Sequence, residues 1–532
     1  MVNQKIISDK DVIVIGGGVN GLVAAAYLAK SGRSVILFEK KDILGGVAVT
    51  EEFFPGYKFS SLVDGVGYLS PSIVKNLKLV QHGLEIIPVD PVVYSLQQNG
   101  SNLLISQDVN KTSTEIAKFS KADAESYPRF VKMMQKVGVV VESVMNLTPP
   151  DLPEFGLRDL IGLLPLIKPI SKIGRKDFAQ ALRVMPMPVA DLLNEWFESD
   201  IVKGTIAASS LLHSSWGPQE AGTGFTFLYN WAGSNNGHFR SSGNIKGGMG
   251  ALSKAIANAA RSFGVVIKTN SEVEKIMFAD GVAFGVELNN GEQYTAGKLV
   301  SATNINTTFM NLVDPYYLDQ LFVKHVQNIK YRGTTARVYF VLDEIPKFNG
   351  VNGGEPDLLS GHIQISPSMT YIQKAYDPVK YGRYTEDPYL DIFIPTITDP
   401  SLASDEAHLM SVTVKFIPYH LREGNWQSLR DEVIRLVTKK ISEYAPGFEN
   451  LIKHQKVLTP LDLEKDYNLP EGNYVHGEMT LDQFMWMRPI PGYGQYNSPI
   501  KNLYLCSAAT HPGGVINGIN GKNAAREILK NG

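Results

Sequence analysis

Apolar and polar positions in the first forty residues follow the spacing of a strand, a helix and a second strand. Residues 12–15 are apolar, mostly β-branched, and run into the glycine-rich segment 16–21. A short apolar run before a glycine turn predicts a buried parallel strand. Residues 22–30 are rich in alanine and are followed by Gly32, and residues 35–38 are again apolar. The pattern predicts one strand, helix and strand unit of a parallel sheet.

Similar patterns recur along the rest of the chain. The glycine run 247–250 opens a helical pattern that ends at Gly264. Two turns, Asp280-Gly281 and Asn290-Gly291, separate short runs that predict an antiparallel meander. The further predicted elements are strands at 265–268, 273–277, 282–288, 292–295, 299–302, 338–342, 390–394, 411–416 and 503–506, helices over much of 120–200 and at 429–444, and a last helix ending at Leu529.

Composition narrows the class of protein. The chain has 532 residues, 44% hydrophobic and 20% charged, which is ordinary for a folded globular protein of roughly two to four domains. Its 51 basic and 53 acidic side chains nearly cancel, so we expect no nucleic-acid partner. The lone Cys506 excludes an internal disulfide, a cysteine zinc cluster and a redox pair, and we expect no metal site.

No targeting or membrane-spanning segment is predicted. Residues 1–11 are polar and mixed in charge, unlike a secretory signal, so we expect a cytoplasmic protein with at most peripheral membrane contact. Residues 160–170 are apolar and lie just before Lys172 and Arg175. They fit a monotopic surface patch through which a lipid-soluble substrate enters, but we favour the alternative of a buried helix pair broken by prolines.

A group of aromatic residues lies between the helical region and the second glycine run. It fits either the lining of a pocket or ordinary core packing. Its members are Trp216, Phe225, Phe227, Tyr229, Trp231 and Phe239.

The first glycine turn has the residues and the context of a dinucleotide site. Gly16 permits the tight turn, Gly18 lets a pyrophosphate approach the backbone, and Gly21 lets the helix lie close to the strand. The start of the helix then faces the phosphates. Glu39 ends the second strand, where a carboxylate binds an unphosphorylated adenosine ribose.

The carboxyl-terminal segment offers a second place for close backbone approach. Residues 503–506 predict a strand that leads into a turn containing His511. Gly514, Gly518 and Gly521 follow at spacings of four and three, which on a helix would place them on one face. A cofactor or the first helix would fit against that face.

Taken together, these motifs resemble the phytoene desaturase-like FAD-dependent oxidoreductases of the flavoprotein amine oxidase superfamily. The adjacent Gly45 and Gly46 are similar to the second pyrophosphate-binding turn of that family, which favours FAD over NAD. The matching segments cover essentially the whole chain and are IGGGVNGLVAAAYLAKSG, LGGVAVTEEFFPG, GGMGALSKAIANAA, DPYLDIFIPT, LTPLDLEKDY, HGEMTLDQFMWMRPIPGY and LYLCSAATHPGG.

The resemblance implies an α/β fold in which a Rossmann-like FAD-binding domain is combined with a mixed-sheet substrate domain and a helical insertion. The expected segments are an FAD-binding domain formed by 1–119, 241–304 and 491–532, a helical insertion at 120–240 and a substrate domain at 305–490. The residues implied to hold FAD are Gly16, Gly18, Asn20, Gly21, Glu39, Lys40, Gly45, Gly46, Val47, Val273, Gly513, Gly514 and Val515. Glycines are usual in the family where Ser507, Ala509 and Val515 stand, so the approach of this turn to the flavin is expected to differ.

The resemblance also implies two-electron oxidation of a lipophilic small molecule, by hydride transfer to the flavin and loss of a proton. His511, His476 and Glu478 are the candidate proton acceptors. The chain has no second strand with a GxGxxG turn, so oxygen or a quinone, and not NADPH, is the expected redox partner. Oxidation of an amine, and an interaction or assembly role with little turnover, are the alternatives.

Overall fold

The computed structural model of the protein describes residues 6–65, 68–152, 154–233, 243–351 and 356–530. Its strands are β1 (Ile6–Ile15), β2 (Val35–Phe38), β3 (Thr50–Phe54), β4 (Tyr57–Ser60), β5 (Ile86–Pro88), β6 (Val93–Ser95), β7 (Leu103–Ile105), β8 (Gly243–Ile245), β9 (Val266–Lys268), β10 (Val273–Ala279), β11 (Val282–Leu288), β12 (Gln293–Ser301), β13 (Thr335–Leu342), β14 (His362–Ile365), β15 (Leu390–Phe393), β16 (His408–Lys415), β17 (Ile452–Leu458) and β18 (Leu503–Leu505).

The α-helices lie between these strands and form most of residues 109–229. They are α1 (Val19–Lys30), α2 (Pro71–Asn76), α3 (Val109–Ile116), α4 (Lys121–Met145), α5 (Leu157–Leu163), α6 (Ile167–Ile173), α7 (Arg175–Val184), α8 (Val189–Asn194), α9 (Asp200–Ala207), α10 (Thr223–Tyr229), α11 (Met249–Ser262), α12 (Gln320–Gln327), α13 (Met369–Tyr376), α14 (Arg430–Ser442), α15 (Pro460–Tyr467) and α16 (Ile519–Lys530).

The first sheet contains the predicted strand, helix and strand unit. Its parallel strands lie in the order β18, β12, β1, β2 and β9. Residues 12–15 of β1 are buried because helices cover the sheet, which explains why this strand is apolar throughout and does not alternate. α1 packs between α11 and α16. The predicted α/β fold with a Rossmann-like dinucleotide domain is confirmed.

One strand of this sheet replaces two that the sequence predicts separately. The runs at 292–295 and 299–302 belong to the single strand β12. Its first half pairs with the antiparallel ribbon of β10 and β11, and its second half pairs with β18 on the same side. β1 runs parallel to it along the other side. The prediction of two separate strands was wrong, because a single strand can change its pairing partners along its length without a turn.

The second sheet is mixed, as predicted for the substrate domain. Its order is β17, β13, β16, β15, β14, β6 and β7, and only β14 and β6 pair in parallel. β6 and β7 lie within residues 93–105, so this part of the segment 1–119 pairs in the second sheet. Alternate residues of β13 face opposite ways: Val338 packs in a core with α14, whereas Arg337 binds Asp64 on the other side.

The helical region has an apolar surface that the sequence analysis assigned to the interior. The α5 and α6 helices are joined by a short turn at residues 164–166. Leu157 is 73% exposed, Ile161 57% and Ile167 62%. The expected buried helix pair is therefore wrong, because the core of this region is filled by other helices around Phe130. None of the helices within the described ranges is long and apolar enough to cross a bilayer.

The two ends of the described chain meet in the first sheet. α16 packs on α1, and a Cβ added to Gly521 would lie 2.1 Å from the carbonyl oxygen of Asn20. Gly514 and Gly518 have φ of +79° and +71° and precede the helix, so they do not share a helical face with Gly521 as predicted. Asn517 accepts a hydrogen bond from the Ile519 amide at 2.7 Å at the start of α16.

Candidate functional site

A cleft of about 710 Å³ opens at the carboxyl ends of the central parallel strands. This is the edge of an open α/β sheet at which dinucleotides bind, and the volume lies within the range of ligand sites, about 300 to 1,000 Å³. Most of the residues implied to hold FAD line it. They are Gly16, Gly18, Asn20, Gly21, Glu39, Lys40, Gly45, Gly46, Val47, Val273 and Val515.

The two glycine turns lie directly against each other. The Gly45 amide donates to the Gly17 carbonyl at 2.9 Å, and a Cβ added to Gly46 would lie 3.2 Å from the Gly18 Cα. A Cβ on Gly21 would lie 2.2 Å from the Gly16 carbonyl oxygen, far inside contact distance. Glycine at these positions therefore allows strand, turn and helix to come together at the place that a pyrophosphate would occupy.

The start of α1 supplies the polar groups that suit a phosphate. Gly18 is the N-cap and makes no side-chain capping bond, so the first amides of the helix are available to an anion in the cleft. The buried Asn20 Oδ1 has no hydrogen-bond partner within the described part of the chain. Such an atom is costly unless a ligand or water donates to it.

Glu39 lies where the ribose carboxylate was predicted. Its Oε2 accepts from the Gly17 amide at 2.7 Å and its Oε1 accepts from the Lys41 amide at 3.0 Å. These bonds fix the carboxylate, and each oxygen retains a further lone pair for a ribose hydroxyl. The glycine turns, the helix start, the unpartnered amide oxygen and this carboxylate together fit the adenosine and pyrophosphate parts of FAD.

The carboxyl-terminal turn does not line the cleft with all of the residues that were expected there. Ser507, Ala508 and Val515 line the cleft, whereas Gly514 lines a second cavity. Gly513 lines neither of them and lies close to Arg488, whose Nε would be 2.9 Å from a Cβ at that position. That Gly513 and Gly514 approach the flavin ring stays a prediction.

Other cleft residues were missed in the sequence. Ala302, Thr303 and Asn304 line the cleft because they follow the carboxyl end of β12, and the sheet rule would have indicated them once that strand was placed. Tyr467 and Asn468 also line the cleft. They come from the end of α15 in a distant segment, and no local pattern signals their position.

A buried arginine fixes the loop that closes this side of the cleft. Arg488 is 1% exposed. Its guanidinium donates to backbone carbonyls alone among the described residues, and burial lowers its pKa to about 10. The accepting carbonyls are those of Val475, Gly477, Glu478, Gln483 and Ala508. The bonds tie the loop around His476 to the turn that carries Ser507 and Val515.

A smaller cavity of about 160 Å³ adjoins the cleft. Tyr474 and Val515 line both spaces. Much of its wall is apolar, and Tyr229 is the one residue of the predicted aromatic group that lines it within the described ranges. Phe225, Phe227 and Trp231 are core residues, and Phe239 lies outside the described residues.

The second sheet gives this cavity a charged floor. Arg337 forms a bidentate pair with Asp64 at 2.5 and 2.6 Å. Burial opposes the charge of the guanidinium, but the adjacent carboxylate outweighs it and raises the pKa of Arg337 well above its ordinary value. Oδ1 of Asp391 lies within hydrogen-bond distance of Nδ1 of His362, at 2.7 Å. The cavity is thus apolar on its walls and ionic on its floor.

The three candidate proton acceptors lie in different surroundings. His476 lines the cleft, and burial lowers its pKa to about 4. His511 is buried with Nε2 2.9 Å from the Val144 carbonyl oxygen, and it lines neither the cleft nor the cavity. Glu478 lines neither space and pairs with Arg332, although burial still raises its pKa to about 7. Only His476 therefore borders the cofactor side of the site.

Two family models match this chain. Residues 14–66 match the model of the NAD(P)-binding Rossmann-like domain, and residues 190–529 match the model of flavin-containing amine oxidoreductases. The second match covers more than half of the chain.

Full-length relatives show the same resemblance. The chain is 32% identical to pyridine nucleotide-disulfide oxidoreductase domain-containing protein 2 of Mus musculus over 99% of this chain and 94% of that protein. It is 26% identical to the neurosporene-forming phytoene desaturase of Cereibacter sphaeroides over 97% and 93%. The name of the Mus musculus protein refers to disulfide chemistry, which requires a pair of cysteines, whereas this chain has the single Cys506. That cysteine is buried, and burial raises the pKa of its thiol.

The fold is shared with solved structures. A triple mutant of a putrescine oxidase aligns over 98% of this chain and 99% of its own, with a TM-score of 0.62 and 13% identity. At this identity the likeness concerns the architecture alone.

Proposed function

Since the chain belongs to the family of flavin-containing amine oxidoreductases, we propose that it is an FAD-dependent dehydrogenase that introduces a double bond between two carbons of a largely apolar substrate. The observation that carries this proposal is the cavity that adjoins the dinucleotide cleft, with apolar walls and with both of its carboxylates in contact with other side chains. A hydrocarbon chain fits such walls, because burying apolar surface favours binding by about 25 cal/mol per Å².

Bound flavin would supply the electron-accepting chemistry: a hydride leaves one substrate carbon, a proton leaves its neighbour, and a carbon–carbon double bond remains. The chain's own residues position the substrate and exclude water. Tyr474 and Val515 border both spaces and would hold the reacting carbons between them. His476 is neutral near pH 7, since its pKa is about 4, and is the proton acceptor that we favour.

Amine oxidation is the second candidate, and the family name and the tyrosines of the cavity favour it. Tyr68, Tyr229 and Tyr389 line the cavity with Tyr474, and aromatic walls suit a neutral or cationic amine. Of the two carboxylates that would attract an ammonium group, Asp64 is paired with Arg337 and Asp391 is in hydrogen-bond contact with His362. This pairing is our reason for placing carbon–carbon oxidation first.

Anaerobic reduction of the bound flavin separates the candidates. The purified flavoprotein would be mixed with polyenes, long-chain acyl compounds and amines, and loss of the oxidised flavin spectrum recorded. We expect bleaching by an apolar chain compound and a product with one further double bond. Bleaching by amines alone would support amine oxidation, and no bleaching by any compound would favour an interaction role. Reoxidation by oxygen or by a soluble quinone then identifies the electron acceptor.

We also propose peripheral contact with an anionic membrane through the exposed face of α5 and α6. Leu157, Leu160, Ile161, Leu164 and Ile167 are each more than half exposed. Cations follow them in α6 and α7, at Lys168, Lys172, Arg175 and Lys176. An apolar face beside basic side chains is the pattern of helices that lie in a bilayer interface.

Vesicle sedimentation tests the membrane proposal. The wild type should sediment with phosphatidylserine vesicles and less with phosphatidylcholine vesicles, because each basic residue near an anionic surface contributes about 1 kcal/mol. Ile161→Ser with Ile167→Ser should weaken both interactions. Leu321→Ser on α12, which is 60% exposed elsewhere, is the matched control, and equal binding by all three proteins would contradict the proposal.

A further inference from the structure

Two lysines are buried in the second part of the chain, and their surroundings differ. Lys440 is 4% exposed, and its ammonium contacts the carboxylates of Asp387 and Glu443 at 2.6 Å each. Lys415 is 8% exposed, and no carboxylate lies within 4.0 Å of its Nζ among the described residues. A buried ammonium without a paired anion is costly, so the position of Lys415 calls for an explanation.

Lys415 is held at the floor of the cavity by neutral groups. It ends β16 opposite Thr335 of β13. Its Nζ donates to the Ser214 carbonyl at 3.0 Å and to Oγ1 of Thr335 at 3.3 Å. An ammonium carries three donors, so these two bonds leave one for a group in the cavity, which the side chain lines.

The other ionisable side chains of the cavity floor contact one another directly. Arg337 pairs with Asp64, and His362 pairs with Asp391. Asp391 favours the charged form of Lys415 from a distance, but burial outweighs this and lowers the lysine pKa to about 8. Tyr389, Tyr474 and Thr413 also line the cavity. Lys415 is therefore the floor cation whose direct contacts include no acid.

We propose that the substrate is an amphiphile whose carboxylate binds Lys415, while its apolar chain extends toward the flavin. This inference rests on the proposed function and names its substrate class. Tyr474 marks the flavin side and lies near Arg337. Lys415 lies in the next cross-strand row, since Arg337 is opposite Thr413 and Thr335 is opposite Lys415. Successive rows on one face of a sheet are about 7 Å apart. The substrate carboxylate at Lys415 therefore lies about 7 Å farther from the flavin side than the row of Arg337 and Thr413.

Ligand binding to the flavin-loaded protein tests the inference without requiring turnover. A saturated fatty acid and the alcohol of the same chain length would be titrated while the flavin spectrum and the heat of binding are recorded. We expect the wild type to bind the acid about 10- to 100-fold more tightly than the alcohol, the effect of one charge-assisted buried bond. Lys415→Met should remove this preference, and Lys415→Arg should restore part of it. Lys440→Met is the control that should retain it.

The pH dependence gives a test that uses the wild type alone. Affinity for the acid should fall as pH rises through about 8, where Lys415 loses its proton in the free protein, and affinity for the alcohol should not. Equal affinities of the wild type for acid and alcohol, or an acid preference that survives Lys415→Met, would overturn the inference. Acid preference without flavin bleaching would retain the binding site and refute dehydrogenation, so the two failures are distinguishable.

Discussion

The dinucleotide cleft and the adjoining cavity are built on opposite principles. The cleft takes its shape from missing side chains: Gly18, Gly21 and Gly46 let backbone approach backbone. The cavity takes its character from charged side chains that are present, with Arg337 and Lys415 brought to one sheet face beside acids from other segments. A cofactor common to many enzymes is bound largely by backbone, whereas the substrate of one enzyme is distinguished by side chains.

The difference predicts that adding atoms damages the cleft and removing charges damages the cavity. Each of the following substitutions would either sharpen that contrast or break it.

Gly21→Ala should abolish flavin binding. A Cβ at this position would lie 2.2 Å from the Gly16 carbonyl oxygen and 2.9 Å from the Ala302 Cβ, so α1 must move away from the strand. Flavin content is measured from the absorbance of the purified protein. Gly32→Ala is the control at the other end of α1: nothing lies within 4 Å of its Cβ and φ is +87°, so it should cost about 1 to 2 kcal/mol of backbone strain and keep the flavin. Full flavin content in Gly21→Ala would break the comparison.

Asp64→Asn should lower the free energy of unfolding by about 3 to 5 kcal/mol, the usual effect of leaving one member of a buried ion pair alone. Arg337 is 1% exposed and pairs with Asp64 in two bonds. Denaturant unfolding of the flavin-loaded protein measures the loss. Arg435→Gln, which breaks a half-exposed pair with Glu432, should cost far less, because solvent screens exposed ion pairs. If both variants lose the same stability, the cavity floor has no special dependence on charge.

Glu478 should make the free energy of unfolding depend on pH. Its pKa rises from 4.5 to about 7 on folding, chiefly through burial. The folded protein therefore holds a proton that the unfolded chain releases, and the stabilisation present below about pH 4.5 is lost as pH rises toward 7. The change amounts to about 3 kcal/mol. Glu478→Gln should remove this component from the difference between unfolding curves recorded at pH 4.5 and pH 8. An identical pH dependence in both proteins would show that the carboxyl group is not held protonated.

The sequence predicted the cleft better than the cavity. Gly16, Gly18, Gly21 and Glu39 were assigned from spacing and Gly45 from the family resemblance, and all five line one cleft. A glycine turn between a strand and a helix is a local signal, because the residues that make it are neighbours in the chain. Glu39 lies at the end of the next strand and is also within reach of a local pattern.

The cavity floor had no such signal. Lys415 lies in residues 411–416, whose apolar pattern predicts only a strand. The environment of its ammonium group is set by Thr335, 80 residues earlier, and by Ser214, 201 residues earlier. The exposed face of α5 was misplaced for the same reason, since an apolar helix has the same sequence pattern whether a neighbour covers it or not.

Local sequence was enough to predict the parallel strand and helix unit, the glycine turns and the carboxylate at Glu39, because strand period, helix period and the steric freedom of glycine act over a few residues. The tertiary structure decided that Tyr474 and Val515 border both spaces, that Lys415 is buried without an acid in contact, and that Arg488 ties the loop to the terminal turn. These facts depend on which distant segments pack together, and burial and pairing of charges are set only by that packing.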